Sequence, residues 1–330
     1  LQQAADTGDT MTDPGWRKFA LRLDGKGGAA PFEPQLSAGD HSTRWIHLDY
    51  TCPESRDWLE ARADIPMVVS EALLTPETRP RVSDVGGGLL VYLRGVNLSP
   101  DARPEDMIAV RLWIRDGLVI STQKRTLKSL TELVDALHAG EGPATPSELL
   151  AGLVDGLVWR MEEVIEQIED QVADFSERLE GGAGNRDQTR RIGALRRRAI
   201  TLRRYMAPER DALAKLHGDS RIRSGDAEII REATDRLQRL LEDLDAAREH
   251  ATLLQEEVFS AQNETINDRM YLLAIISATF LPLGFLTGLF GINVGGLPWL
   301  EDPNGFWWFT GMLVITGTGI LLWMIRRRWV

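Results

Sequence analysis

The stretch from Met270 to Asn293, MYLLAIISATFLPLGFLTGLFGIN, decides the fold of this chain. It contains no charged residue, and at about 1.5 Å per helical residue it can cross the roughly 30 Å hydrocarbon layer of a membrane. A second apolar stretch, at about residues 306–325, follows after a short loop. Together the two stretches predict a membrane hairpin close to the C-terminal end.

Charges around the hairpin predict its orientation. Arg269 precedes the first span, and Arg326 to Arg328 follow the second. The loop between them, residues 291–305, has no Lys or Arg and carries Glu301 and Asp302. Because basic residues stay on the cytoplasmic side of a membrane, both termini are expected in the cytoplasm and the loop outside.

The remaining residues are highly charged, and their composition excludes several classes of protein. The 330 residues carry a net charge of −11, which argues against a nucleic-acid partner, since such proteins present basic surfaces. The single cysteine, Cys52, excludes an intramolecular disulfide framework and fits a reducing compartment. Residues 1–15 lack an apolar core, so no signal peptide is expected there.

Four regions are expected along the chain. Residues 1–15 are polar and predicted to be disordered. Residues 16–140 alternate short β-rich runs with turns and short helices, which predicts an α+β cytoplasmic domain. Residues 146–269 carry apolar residues spaced three and four apart in three segments, which predicts a helical stalk. Residues 270–330 hold the transmembrane hairpin and a basic C-terminus.

The stalk sequence leads to three specific expectations. Nothing stops the third helix between Ala227 and Leu281, so one helix should run from the stalk into the first span. Pro208 is expected to interrupt the second, arginine-rich helix. An acidic run on the first helix is typical of a solvated helix face; it could also bind regulatory cations or pair with the arginine-rich helix, and of these two uses the pairing is favoured. The run comprises Glu162, Glu163, Glu166, Glu169, Asp170, Asp174 and Glu177.

Two spans cannot enclose a pore, so a polar route through the membrane would need several copies of the chain around an axis. Small or polar residues recur every seven positions along one face of the first span, and this face could line such a route. A small-residue surface for packing between helices explains the same pattern equally well. The two sets are Met270, Ser277, Gly284 and Gly291, and Asn267, Ala274, Leu281 and Gly288.

Neither span contains Asp, Glu or His. A divalent ion stripped of its water would need carboxylate or imidazole ligands. The route is therefore expected to pass an ion that keeps much of its water and is positioned by carbonyl, amide and hydroxyl oxygens. Candidate metal contacts at the outer end are Asn293, Glu301 and Asp302, where the acidic side chains would raise the local cation concentration.

The segment Phe290-Gly291-Ile292-Asn293 ends the first of two C-terminal spans and follows a long helix. In that position it resembles the Gly-Met-Asn signature of the CorA metal ion transporter superfamily, and Gly-Ile-Asn is typical of its ZntB-type zinc branch. The resemblance implies a funnel-shaped homopentamer in a bacterial inner (plasma) membrane. It also implies transport of Zn²⁺ into the cell, coupled to protons, with no cofactor.

The same resemblance implies roles for residues of the first span. Gly284 stands where the family's magnesium channels usually carry a threonine, which favours zinc. The outer selectivity site would be Gly291, Ile292 and Asn293, and constrictions would fall at Gly284, Leu281, Leu273 and Met270, with Asn267 at the cytoplasmic mouth.

Two alternatives stay open. One is a CorA-type Mg²⁺ or Co²⁺ channel with the same fold, and the other is a membrane-anchored coiled-coil scaffold, which would need neither the charge-free face nor the acidic loop. An enzyme is not expected, because the histidines are scattered and none forms a zinc motif with Cys52. His41, His47 and Asp49 could form a surface metal site, although an ordinary strand-end cluster explains them more simply.

Overall fold

The structure is a computed structural model, and it divides the chain into two compact units, Leu1–Gln255 and Glu256–Val330. His41, Asn293, Glu301 and Arg328 lie outside the described residues, as does all of the segment expected to be disordered except Gly15. The described residues are 15–34, 42–76, 78–180, 186–292, 297–298 and 302–327.

Seven strands and seven helices are assigned within the described residues. In chain order they are β1 (Arg17–Leu23), β2 (Ala29–Pro31), β3 (Arg44–Asp49), α1 (Pro53–Glu60), α2 (Met67–Leu74), β4 (Arg81–Val85), β5 (Gly88–Gly95), β6 (Ile108–Arg115), β7 (Leu118–Gln123), α3 (Lys128–Ala139), α4 (Pro146–Glu180), α5 (Arg186–His217), α6 (Ser224–Phe290) and α7 (Gly305–Arg326).

The strands form one sheet in the order β2-β1-β3-β7-β6-β5-β4. Strands β3 and β7 pair in parallel, with Ile46 opposite Ile120, and the other pairs are antiparallel. All six residues of β7 are buried. The first half of β7 is apolar, and its buried polar residues are held by hydrogen bonds, because the Ser121 hydroxyl accepts from Trp45 Nε1 at 2.7 Å and the Thr122 hydroxyl donates to the Leu73 carbonyl at 2.7 Å.

Helices cover both faces of the sheet. Tyr92 and Trp113 belong to a core with α1 and α2, and the Tyr92 hydroxyl donates to the Ala72 carbonyl at 2.8 Å. Val91 and Leu112, their neighbours along the strands, point the other way into a second core, built with α3, α4, α5 and the first part of α6. The predicted α+β domain is therefore present, and its sheet has a core on each side.

Helix α5 corrects one expectation, because it continues through Pro208 instead of ending there. The proline removes one backbone donor, which normally kinks or breaks a helix. Buried side chains stand on both sides of it, Met206 before and Leu213 and Leu216 after. Packing of these residues into the core compensates for the missing hydrogen bond. Helix α6 runs unbroken from Ser224 to Phe290, as predicted.

Ion pairs among the long helices differ from those expected. Within the described residues, no arginine of α5 pairs with the acidic run of α4. Arg203 of α5 pairs instead with Asp245 of α6 at 2.8 Å, and Arg198 of α5 pairs with Glu105, just before β6, at 3.3 Å. On α4, Glu162 faces Arg236 of α6. The expected ion pairs between α4 and α5 are therefore not found among the described residues, because spacing along one helix does not show which charged side chains its face meets.

Candidate ion pathway

Two of the described helices, α6 and α7, are long and apolar enough to cross a membrane. Their apolar side chains are open to the surroundings in a single chain. Leu281 is 78% exposed and Phe280 is 67% exposed. An apolar surface of this extent is unfavourable in water, so lipid or neighbouring copies of the chain are needed to cover it.

Within the second unit, one face of α6 packs against α7. The Phe290 and Phe309 rings lie 4.8 Å apart. A Cβ on Gly317 of α7 would lie 3.5 Å from the Leu283 side chain. Partly buried positions follow this face at helical spacing, namely Ile275, Thr279, Pro282, Leu283, Leu286 and Phe290.

The face expected to line a pore lies on the opposite side of α6. With 3.6 residues per turn, Ser277, Gly284 and Gly288 point roughly 180° away from the α7-facing residues. A Cβ added at Gly284 or Gly288 would meet no atom within 4 Å. Every member of the predicted set is exposed in the single chain, namely Asn267, Met270, Leu273, Ala274, Ser277, Leu281, Gly284 and Gly288. Their role as pore-lining residues stays a prediction.

The last turn of α6 is held by hydrogen bonds and close backbone contacts. The Gly291 N–H donates to the Thr287 carbonyl at 2.9 Å, and a Cβ on Gly291 would lie only 3.0 Å from that oxygen. The Thr287 hydroxyl in turn donates to the Gly284 carbonyl at 3.0 Å. This close packing favours a residue without a Cβ at the first position of the Gly-Ile-Asn motif.

One acidic residue of the loop lies near this motif. Gly291 and Asp302 line the same cavity, of about 340 Å³, at the end of the hairpin. The Asp302 carboxylate accepts the Asn304 N–H at 2.8 Å, directly before α7. A negative charge is favourable at the N-terminal end of a helix, so Asp302 also has a structural role. Asn293 and Glu301 lie outside the described residues, and their predicted roles stay predictions.

The structure does not support the possible surface metal site at His47. Its ring is fully buried, stacked on Phe19 at 5.0 Å, and its Nδ1 lies 2.7 Å from the Ser121 hydroxyl. Burial, with a smaller contribution from Lys18, lowers the pKa of His47 to about 3, so the ring is neutral. The described residues contain no group of three or more His, Cys, Asp or Glu that could hold a metal ion.

A sequence model of the CorA-like Mg²⁺ transporter protein family matches residues 40–327. The chain belongs to this family. The resemblance drawn from the Gly-Ile-Asn motif and its position is therefore confirmed. Members of the CorA-like family are transporters, so the expectation that the chain is not an enzyme is confirmed as well.

Relatives of this CorA-like chain match it over nearly its full length. The zinc transport protein ZntB of Yersinia enterocolitica is 36% identical over 315 residues, covering 94% of this chain and 95% of the relative. The divalent cation transporter CmaX of Pseudomonas aeruginosa is 39% identical over 317 residues, with the same coverage. The structure of full-length CmaX matches with a TM-score of 0.82 at 37% identity, covering 98% of this chain and 99% of that one.

Proposed function

We propose that this protein transports divalent cations across a membrane, with Zn²⁺ as the preferred ion, along an axis lined by α6 from several copies of the chain. The observation that carries the proposal is the α6 face opposite α7, which is charge-free, carries the small residues Ala274, Ser277, Gly284 and Gly288, and is uncovered in one chain. Membership of the CorA-like family and the zinc-transporting relative support the same function.

Assembly from several copies follows from the hairpin itself. Two helices per chain cannot surround a channel, so the polar atoms of α6 would face lipid unless other copies contribute. We propose five copies in a funnel, as the family resemblance implies. The basic residues at the inner ends of both helices support a bacterial inner-membrane protein with both termini in the cytoplasm.

The chemistry of the proposed route suits a hydrated ion. Zn²⁺ bound directly by a protein usually takes His, Cys or carboxylate ligands, and neither span has any of these. The ion would therefore keep water and meet carbonyl oxygens along α6 and the Asn293 amide at its outer end. Asp302 and Glu301 would concentrate cations at the entrance.

Proton coupling cannot use a buried relay within the spans, because they contain no Asp, Glu or His. The groups available for it are the loop carboxylates and the first unit. We propose Zn²⁺ import with protons as the coupled ion, since the resemblance implies it.

Purified full-length protein in liposomes tests the function. We expect Zn²⁺ uptake to exceed Mg²⁺ and Co²⁺ uptake, and to rise when the outside is made more acidic than the inside. Entrapped fluorescent indicators measure all three ions at two pH gradients, with empty liposomes as the control. Faster Mg²⁺ uptake would favour the CorA-type channel, and no uptake of any ion would favour the scaffold.

Replacing Asn293 by alanine tests the proposed selectivity site. We expect Asn293→Ala to slow Zn²⁺ uptake about tenfold, which corresponds to a loss of ~1.4 kcal/mol of ion coordination. Asn304→Ala is the matched control, because Asn304 precedes α7 without a side-chain cap hydrogen bond. The size of the assembly should stay unchanged in both variants. Wild-type uptake in Asn293→Ala would remove Asn293 from the proposed selectivity site.

A further inference from the structure

A second cavity, lined in part by basic side chains, lies in the first unit. It has a volume of about 210 Å³ and lies where β5 and β7 end and β6 begins. We call it the basic cavity, and its lining includes Tyr50, Arg94, Lys124, Arg125 and Tyr205. Tyr50 follows β3 and Lys124 follows β7, so the basic cavity lies at the carboxyl ends of the parallel strand pair. Ligands of open α/β sheets commonly bind at that end.

The guanidinium of Arg94 is held in place by neutral groups. Its Nε and Nη2 donate to the Thr78 carbonyl at 3.1 and 2.9 Å, and its Nη1 donates to the Met107 carbonyl at 3.0 Å. The guanidinium also lies 4.0 Å from the centre of the Tyr205 ring. These contacts fix the orientation of Arg94, and no carboxylate among the described residues forms an ion pair with its guanidinium.

Arg111 lies directly behind the wall of the basic cavity. Its guanidinium is 4.2 Å from the Tyr50 ring, and its Nη2 donates to the Pro76 carbonyl at 2.8 Å. Tyr50 and Pro76 both line the basic cavity. The side chain is fully buried, and its Nε and Nη1 have no hydrogen-bond partner among the described residues. A buried charge with unused donors is costly unless an anion compensates it.

Within the described part of the chain, no carboxylate forms an ion pair with Arg94, Arg111, Lys124 or Arg125. The Glu209 carboxyl accepts the backbone N–H of Arg94 at 2.9 Å but forms no ion pair with the Arg94 guanidinium. Burial raises the pKa of Glu209 to about 8, so this carboxyl is mostly neutral at pH 7. Three cationic side chains therefore line the basic cavity and a fourth lies behind its wall, and among the described residues none of them has a carboxylate ion-pair partner, although the net charge of the protein is −11.

We propose that the basic cavity binds a compact oxyanion of the phosphate class. Arginine and lysine donors make their strongest hydrogen bonds to phosphate and carboxylate oxygens. The volume limits the ligand, because pockets for drug-sized molecules have about 300–1,000 Å³. The basic cavity, at about 210 Å³, is below this range, and this size suits phosphate or pyrophosphate better than a whole nucleotide.

Thermal unfolding of the detergent-purified full-length protein tests this site. Inorganic phosphate or pyrophosphate is added while chloride holds the ionic strength constant. We expect the melting temperature to rise with anion concentration and to saturate, because a ligand that binds only the folded state stabilises it. No saturable rise with either anion, or a saturable rise with ATP alone, would overturn the proposal.

Variants at exposed positions locate the binding without disturbing the core. Lys124→Gln with Arg125→Gln should weaken the apparent affinity for pyrophosphate at least roughly tenfold, since two charge-assisted contacts are lost. Lys26→Gln with Lys128→Gln removes the same charge from exposed lysines that do not line the basic cavity, and it should leave the affinity unchanged. Equal weakening in both double variants would show a general charge effect and overturn the site.

Discussion

Replacing Gly284 by tryptophan is expected to abolish Zn²⁺ uptake without unfolding the hairpin. Gly284 is exposed and a Cβ there meets no atom within 4 Å in the single chain, so the tryptophan side chain starts in open space on each hairpin. If several copies meet around this face of α6, their indoles fill the axis together. We expect uptake in liposomes to fall by roughly a hundredfold or more, because a narrow apolar plug excludes a hydrated ion.

A tryptophan on the other helix provides the control for Gly284→Trp. Gly319 of α7 is also exposed, and a Cβ there also meets nothing within 4 Å. Gly319→Trp should retain most of the uptake, because α7 does not line the proposed axis. Size-exclusion chromatography follows the assembly of both variants. Loss of the assembly in Gly284→Trp would assign this face to helix packing and contradict the pore.

The second large expected effect is a decline in the stability of the folded protein as the pH rises, and its cause is Glu209. The side chain is 2% exposed, and its Oε2 has no hydrogen-bond partner among the described residues. Burial raises the pKa of this carboxyl from 4.5 to about 8, although the Arg94 N–H and charge oppose the rise. The folded protein therefore favours the protonated form.

The sign of the pH dependence follows from that raised pKa. Below about pH 4.5 the carboxyl is protonated in both states, and its full contribution to stability is present. As the pH rises from 4.5 to about 8, the unfolded chain ionises first, so stability declines; above pH 8 the contribution is lost. At 1.36 kcal/mol per pKa unit, the total decline is on the order of 5 kcal/mol.

Glu209→Gln should remove this decline, because glutamine keeps an oxygen acceptor for the Arg94 N–H and does not ionise. We expect melting temperatures close to the wild type at pH 5 and clearly higher than the wild type above pH 8. Glu249→Gln, at an exposed position of α6, is the control for the loss of one negative charge. A constant difference between Glu209→Gln and wild type across the pH range would contradict the raised pKa.

Local sequence patterns predicted the features whose physical cause is local. The apolar stretch after Arg269 predicted a helix, and α6 extends to Phe290. The spacing by seven predicted that Ser277 and Gly284 share one face, and both are exposed on the same side of α6. The edge strand β4 has no clear signal in the sequence, because Arg81–Val85 mixes polar and apolar residues without regular alternation. The predicted interruption at Pro208 was wrong, because packing of buried side chains on both sides of the proline outweighs its local cost.

Features that join distant segments could not be predicted in the same way. The basic cavity brings together Tyr50, Arg94, Lys124 and Tyr205, which come from four separate parts of the chain. Glu209 stands in an arginine-rich helix, where a carboxylate is normally solvated. Its burial depends on where α5 crosses the end of β5, and no periodicity in the sequence reports that crossing.

The two edge strands of the sheet restrict how copies of this protein can associate. Strand β2 has three residues and ends in Pro31, which has no N–H to donate. Beyond β4, the Val82 carbonyl accepts the Lys215 ammonium at 2.8 Å, and Asp84 pairs with Arg221 at 2.9 Å. Short or covered edges resist the addition of a foreign strand. Copies are therefore expected to meet through helices, and the newly made domain is protected from edge-to-edge aggregation before it reaches the membrane.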